Sequence, residues 1–282
     1  MTAVVTERLR PGAETSRRRR AGLPGALRSE VTKIFSVRST YWLLALVVLA
    51  ALAWSIADCA GTAASWAHLP AQARAGQDPT QDSLLGLVLF GELFIVVLGA
   101  LAITSEYSTH SIRMSLTVMP RRGVLLAAKG LVVAIVAAAA AIATSFVAFF
   151  AGQALLANTH AGATLSEPGV LQAVAASAVV VVLAGLFTYG IGAALRSTAG
   201  TITLVYGLLF LLPKLAVALP VTWQDYVMRW IPGGQFNGVI ASSVGAQGSP
   251  YMFGPWGEVA VFAGYTVAAL ALGAWVIHRR DA

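Results

Sequence analysis

Residues 170–195 read VLQAVAASAVVVVLAGLFTYGIGAAL and contain no Asp, Glu, Lys or Arg. A helix needs about 20 apolar residues to cross the hydrocarbon core of a bilayer. The stretches 130–166 and 259–278 also lack these four residue types. All three stretches therefore predict membrane-spanning helices, and they decide the fold class of the chain.

The composition of the 282-residue chain agrees with a membrane location. Hydrophobic residues make up 57% and charged residues 11% of the chain, whereas soluble domains carry about 25% charged residues. This composition excludes a soluble enzyme, a secreted disulfide scaffold and a disordered chain. The single cysteine, Cys59, excludes an intrachain disulfide and a multi-cysteine metal site.

Six segments meet the length and hydropathy requirements of a transmembrane helix. We name them spans one to six and predict their bounds as 41–57, 83–104, 124–150, 170–195, 199–219 and 257–277. The predicted fold is thus an all-α membrane protein whose transmembrane domain covers residues 26–280. Residues 1–25 are basic and lack apolar periodicity, so we expect disorder there.

The positions of Lys and Arg predict the orientation in the membrane. With six spans, both termini, the segment between spans two and three, and the turn between spans four and five share one side. Counted with the adjoining helix ends, that side holds sixteen of the nineteen Lys and Arg residues. Cytoplasmic segments carry the excess of basic residues, so we expect both termini in the cytoplasm and the protein in the cell membrane. This rule explains the basic N-terminus without nucleic-acid binding.

Residues 26–40 have the pattern of an amphipathic helix. Leu27, Val31 and Ile34 follow helical spacing, and polar residues lie mostly on the other side. Such a helix lies in the plane of the membrane interface. We therefore predict an N-terminal elbow helix that leads into span one.

A second amphipathic pattern occupies residues 221–231. Trp223, Tyr226 and Trp230 form a stripe along one face, and Asp225 lies on the opposite side. Because Trp and Tyr favour the membrane interface, we expect this helix to lie flat on the outer surface before span six, in contact with lipid.

Glu92 is an acid near the middle of span two. A charged side chain at that depth costs about 2.5–3.5 kcal/mol on insertion scales, so Glu92 is expected to face other helices, a dimer interface or an aqueous cavity. Protonation is one solution, and a hydrogen bond to a side chain such as Tyr189 or Tyr206 is another. A structural role and contact with cargo or protons both remain open.

The predicted spans contain none of the residue patterns that catalysis inside the membrane would require. The sequence has no His-x-x-x-His pair, no catalytic-triad spacing, no intramembrane carboxylate pair and no P-loop. We therefore assign no catalytic residue and no metal ligand, expect no bound cofactor, and do not expect this chain to be an enzyme.

Residues 105–122 connect spans two and three and exceed the length of a turn. Glu106, His110 and Arg113 stand at i, i+4 and i+7, which places them on one face of a helix, while Ile112 belongs to a second, apolar face. This pattern predicts a short cytoplasmic coupling helix that docks on a soluble partner. A Glu106–Arg113 pair that only fixes the loop is the alternative.

This inner segment resembles that of ABC-2-type permeases, the membrane subunits of one class of ABC exporters. The resemblance is carried by SEYSTHSIRMSL at 105–116, MPRR at 119–122, AK at 128–129 and, before the last span, WQDYV at 223–227 with WIP at 230–232. Family members typically have Gly-Thr where this chain has His110 and Ser111. The likeness extends over the chain from about Leu27 to Arg280.

The resemblance implies a permease that pairs with a second permease copy, as a homodimer or heterodimer, and engages two copies of an ATP-binding subunit. ATP and Mg would be bound by that partner. The segment that touches or supports the partner would include Glu106, Tyr107, His110, Ile112, Arg113, Arg121 and Arg122. A drug, antibiotic or other small amphipathic molecule is the expected cargo. The alternative is a membrane scaffold or sensor subunit that moves no cargo.

The orientation is testable with single cysteines introduced after Cys59→Ser. We expect a membrane-impermeant maleimide to label Ser166→Cys in intact cells, because residue 166 lies in an outer loop. Ser115→Cys is expected to react only after the cells are opened. Labelling of position 115 in intact cells would contradict the orientation.

Overall fold

The computed structural model describes residues 25, 32, 38–108, 122–159, 161–234, 236–242 and 253–280. This part of the chain is 87% helical and contains no strand. Six helices are long and apolar enough to cross a membrane: Thr40–His68, Pro79–Ser105, Leu126–Thr159, Val170–Leu195, Thr198–Ala216 and Pro255–Arg279. The predicted all-α class and the six spans are confirmed, and the chain is a multi-pass membrane protein.

Within the described ranges, the helical elements are α-helices with four exceptions. Residues Trp66–His68 and Ala157–Thr159 form 3₁₀ turns, and Leu87–Gly91 and Gly207–Leu211 form π-helical turns. The α-helices are Arg38–Ser65, Ala71–Ala75, Pro79–Gly86, Glu92–Ser108, Arg122–Leu156, Val170–Leu195, Thr198–Tyr206, Leu212–Ala216, Val221–Trp230, Phe236–Ile240 and Pro255–Arg280.

Several predicted bounds differ from the observed ones. The helix of span one continues to Ser65 and that of span three to Leu156, because helix formation does not stop where the apolar pattern weakens. The helix of span five ends at Ala216 rather than at residue 219. Pro220 follows closely, and the residue before a proline is disfavoured in α-helical conformation.

Span four is the central helix and runs parallel to span two. Three contacts with similar offsets along the two chains join them: Gly91 with Val181, Gly99 with Gly185, and Ile103 with Gly192. Gly99 and Gly185 lie so close that a Cβ on Gly99 would overlap the Gly185 carbonyl oxygen. Small residues permit such an approach of helix backbones in a membrane protein.

Span four also packs against spans three and six. The Tyr189 hydroxyl donates to the Leu126 carbonyl oxygen at 3.0 Å, which joins the end of span four to the start of span three. The Thr266 hydroxyl donates to the Leu183 carbonyl oxygen at 3.3 Å, and Gly273 lies against Gly190. Span three is therefore antiparallel to span four, and span six is parallel to it.

Spans one and five lie at the periphery and are the least buried of the six. Gly86 of span two lies against Ala51 and Ser55 of span one. The Tyr206 hydroxyl of span five donates to the Leu93 carbonyl oxygen of span two. Both peripheral helices run antiparallel to span two.

The helix directions place the start of span one and the end of span six at the same end of the bundle. We call this the basic end, because it carries Arg38, Arg122, Arg196 and Arg279. The side of the membrane that it faces stays a prediction. Most of the elbow segment 26–40, and residues 109–121 of the coupling segment, lie outside the described residues.

The close crossing of spans two and four can be tested with Gly99→Ala. We expect this substitution to lower the free energy of unfolding by about 1–3 kcal/mol, because the added Cβ forces the two backbones apart. Gly264→Ala is the matched control, since a Cβ there meets nothing within 4 Å. Thermal unfolding in detergent measures both, and equal midpoints would contradict the crossing.

Candidate functional site

Glu92 is buried in the interior of the bundle. Its side chain is 0% exposed, and neither carboxyl oxygen has a hydrogen-bond partner among the described residues. The residue begins the α-helical part of span two directly after the π-helical turn Leu87–Gly91. Glu92 therefore combines a membrane-depth position, full burial and an unsatisfied polar group.

The two tyrosines considered as possible partners of Glu92 donate to other groups, so neither of them provides its hydrogen bond. The Tyr189 hydroxyl donates to the Leu126 carbonyl oxygen, and the Tyr206 hydroxyl donates to the Leu93 carbonyl oxygen. Both phenol groups satisfy backbone acceptors at helix crossings. Tyr206 nevertheless reaches Leu93, the residue that follows Glu92.

Glu92 shares a helix face with Ile95 and Gly99, both of which lie against Gly185 of span four. Burying a polar group without a hydrogen bond costs about 2–7 kcal/mol, depending on the reference state. Among the described residues in this arrangement none bonds Glu92, so its partner would have to come from a second molecule, from outside the described part or through a rearrangement of the spans. An intramembrane acid in this situation is a candidate for function.

A polar cluster at the end opposite the basic end was missed by the sequence analysis. Asp78 is 5% exposed and caps the helix of span two by accepting from the Thr80 and Gln81 amides at 3.0 and 3.3 Å. It also accepts from the Ser242 amide at 2.7 Å and the Ser242 hydroxyl at 3.0 Å. An Asp followed by a Pro is a helix-start signal that the sequence did contain.

Gln153 extends this cluster to span three. Its amide nitrogen donates to the Pro79 carbonyl oxygen and the Ser83 hydroxyl, each at 3.0 Å. Its carbonyl oxygen accepts from the Ala163 amide at 2.6 Å. The buried Cys59 thiol lies 3.5 Å from the same Ser83 hydroxyl. One polar cluster thus ties together spans one, two and three and the loop before span four.

At the basic end, span two is fastened to the turn between spans four and five. The Arg196 guanidinium lies over the Tyr107 ring, 5.1 Å from its centroid. The Thr104 and Thr198 hydroxyls are 2.7 Å apart and share a hydrogen bond. Tyr107 therefore belongs to a contact between helices.

The other predicted coupling residues are largely untested by the structure. Glu106 lies in the last turn of its helix and Arg122 begins the helix of span three, but their side chains lie outside the described part. His110, Ile112, Arg113 and Arg121 also lie outside the described residues.

The predicted helix before span six is present at Val221–Trp230. Trp223 and Tyr226 are 64% and 65% exposed, and the aromatic face is thus available to lipid. The Tyr265 hydroxyl donates to the Trp230 carbonyl oxygen, which holds the end of this helix on span six. Arg229 lies over the Phe253 ring at 4.1 Å. The Asp225 side chain is outside the described part.

Within the described ranges, no group of three His, Cys, Asp or Glu residues lies close enough to hold a metal ion. No family model matches the chain, and a search of curated proteins likewise finds no match.

The Asp78 contacts can be tested with a pair of variants. We expect Asp78→Asn to lower the free energy of unfolding by about 1–3 kcal/mol, because an amide NH₂ would face an N–H or O–H donor. Ser242→Ala removes one of the four bonds and is expected to cost less. Thermal unfolding in detergent gives the order, and an unaffected Asp78→Asn protein would contradict the assignment.

Proposed function

We propose that this chain is the permease subunit of an ATP-driven exporter of the ABC-2 type, with its energy supplied by a separate ATP-binding subunit. The proposal is supported by the resemblance of segment 105–122 to the inner loop of these permeases and by the six-span architecture. Because this chain has no P-loop, ATP and Mg would belong to the partner.

The observation that carries the proposal is the attachment of span two at the basic end. The helix of span two ends there at Ser108, next to the Tyr107–Arg196 contact and the Thr104–Thr198 hydrogen bond. A displacement of segment 105–122 would move the ends of spans two, four and five together. A subunit that converts a movement outside the membrane into a tilt of its helices needs such a connection.

In this proposal the coupling helix carries Glu106, His110, Ile112 and Arg113, and Arg121 and Arg122 support it at the start of span three. ATP binding would bring two partner subunits together, and two permease copies would tilt in response. The pathway would lie between the two copies. Glu92 is the residue we propose for contact with cargo or protons, since it is buried without a hydrogen-bond partner among the described residues.

Co-purification tests this function most directly. We expect an ATP-binding subunit and a second permease copy to purify with the chain, and the complex to hydrolyse ATP. Arg113→Glu or Glu106→Arg should lower this activity or release the partner, because both reverse a charge in the proposed docking face. Arg74→Glu is the control, because Arg74 lies at the opposite end of the bundle.

A complex that keeps the partner and its full ATPase activity in both charge-reversal variants would contradict docking through this segment. A chain that purifies with a partner but without ATPase activity would instead support the scaffold or sensor alternative.

The Tyr107–Arg196 contact gives a separate prediction. Tyr107→Ala removes the ring and an interaction of about 0.5–2 kcal/mol, so we expect ATP hydrolysis to continue with reduced transport. Tyr107→Phe keeps the ring beneath Arg196 and should retain more transport than Tyr107→Ala. Parallel ATPase and efflux measurements test this order, and equal efflux by both variants would remove the contact from the coupling path.

Glu92 is tested by Glu92→Gln, which keeps the size of the side chain and removes its ability to ionise. We expect a changed rate of efflux of an amphipathic dye at unchanged protein level in the membrane. Glu167→Gln, on an exposed loop, serves as the control. Unchanged efflux in the Glu92 variant would take this residue out of the site.

A further inference from the structure

In the described part of the chain, Glu92 is enclosed without room for water and without the hydrogen-bond donors that a charged carboxylate needs. Its exposed fraction is 0%, so no space of the size of a water molecule adjoins the side chain. Neither carboxyl oxygen accepts a hydrogen bond from a described residue. Asp78, a buried acid at the start of span two, instead accepts four hydrogen bonds from N–H and O–H groups.

The side chains around Glu92 are apolar. Val88 and Ile95 lie within about one turn of it on span two, and both are buried. On span four, Val181 is also buried and lies against Gly91, the residue before Glu92. A hydrocarbon environment gives a charge little stabilisation, because its dielectric constant is low.

The lysine of span three is too distant to pair with Glu92. Gly185 of span four lies against both Gly99 and Val133, which places these three residues at one level. Lys129 lies four residues from Val133 toward the basic end, and Glu92 lies seven residues from Gly99 toward the opposite end. These eleven residues of helix correspond to a separation of about 16 Å along the bundle axis.

The lysine of span five is also remote from Glu92. The Tyr206 hydroxyl donates to the Leu93 carbonyl oxygen, so Tyr206 lies near the level of Glu92 and its polar group is already bonded. Lys214 follows Tyr206 by eight residues, or about 12 Å of helix. Lys214 is also exposed, whereas Glu92 faces the interior of the bundle.

No charged residue that the structure describes on spans one and four lies at the level of Glu92. Gly86 of span two lies against Ala51 of the antiparallel span one. Glu92 is six residues farther along span two, and both Arg38 and Asp58 are about 10 Å or more from the corresponding level of span one. Span four contains no Asp, Glu, Lys or Arg, and the hydroxyl of its one tyrosine is bonded to span three.

A proton suits this site better than a cargo molecule does. A drug-sized molecule needs a pocket of about 300 Å³ or more, whereas Glu92 adjoins no space even for a water molecule. A proton needs no cavity, because it binds within the carboxyl group itself. A buried carboxyl group without compensating partners avoids the cost of its charge by holding a proton.

We propose that Glu92 is a proton-binding site whose occupancy changes during transport. This inference rests on the proposed function and names a proton as the ligand of Glu92. The carboxyl group holds its proton in this arrangement of the spans. When the spans tilt and water reaches the group, its O–H bond breaks, a water molecule takes the proton as hydronium, and a hydrated carboxylate remains. Closing of the bundle reverses these steps.

Infrared difference spectroscopy of the purified full-length chain tests whether Glu92 holds a proton. The chain carries isotope-labelled glutamate, so that glutamate and aspartate bands separate. We expect the difference between wild type and Glu92→Gln at neutral pH to contain the C=O band of one protonated carboxylic acid. Glu167→Gln, at an exposed loop position, is the matched control and should lack this band. Thermal unfolding confirms that both variants are folded.

The exchange step is tested by the efflux of an uncharged amphipathic dye, measured per ATP hydrolysed by the complete complex in vesicles. In the wild type this ratio should fall about threefold as the pH rises by about two units, because closing requires Glu92 to recover its proton. One proton permits at most about tenfold per unit. Glu92→Gln stays neutral, so its ratio should not depend on pH, whereas Glu167→Gln should follow the wild type.

The proposal is overturned by any of three results. The first is the absence of the protonated-acid band from the Glu92→Gln difference, which would show that Glu92 is ionised. The second is the same pH dependence of efflux in wild type and Glu92→Gln. The third is a Glu92→Gln variant that loses the export of a cationic dye alone, which would make this acid a cargo contact. A complex that hydrolyses no ATP or exports no dye would instead contradict the proposed function, and the infrared difference would still decide whether Glu92 holds a proton.

Discussion

The close approach of spans two and four is the constraint on which the rest of the structure depends. In hydrocarbon, the backbone polar groups of each segment must be satisfied internally, so the chain crosses as helices. Helices in lipid then gain their stability from close packing. Gly99 and Gly185 permit that packing at the centre of the bundle, and the remaining spans are arranged around span four.

The polar side chains follow a clear division between the ends and the interior of this bundle. At one end, Asp78 and Gln153 use their oxygens and nitrogens in bonds to neighbouring loops and helices. At the basic end, the contact between Tyr107 and Arg196 joins span two to the turn between spans four and five. Glu92 departs from this pattern, because its burial comes without a compensating bond in the described chain. Two observations are the basis for proposing a transport role. One is the buried Glu92 carboxyl group without a bond in the described chain, and the other is the set of contacts that joins span two to the turn between spans four and five.

The number and order of the spans could be predicted from the sequence because length and apolarity are local properties of a segment. The surroundings of Glu92 could not, because they depend on the rotation of each helix about its axis. Tyr206 was one of the partners considered for the carboxyl group of Glu92, and it instead bonds the carbonyl oxygen of the next residue, Leu93. The burial of Asp78 was also missed, since its partner Ser242 is 164 positions away in the chain. The coupling segment stays a prediction from its sequence pattern.

The π-helical turns at Leu87–Gly91 and Gly207–Leu211 change the number of residues that spans two and five contain. Such a turn accommodates one surplus residue within an otherwise regular helix, because its hydrogen bonds reach one residue farther. Deleting one residue at either place would restore ordinary winding while the side chains beyond it keep their facing. Spans two and five therefore each contain one residue more than a regular α-helix with the same facing of its side chains would need.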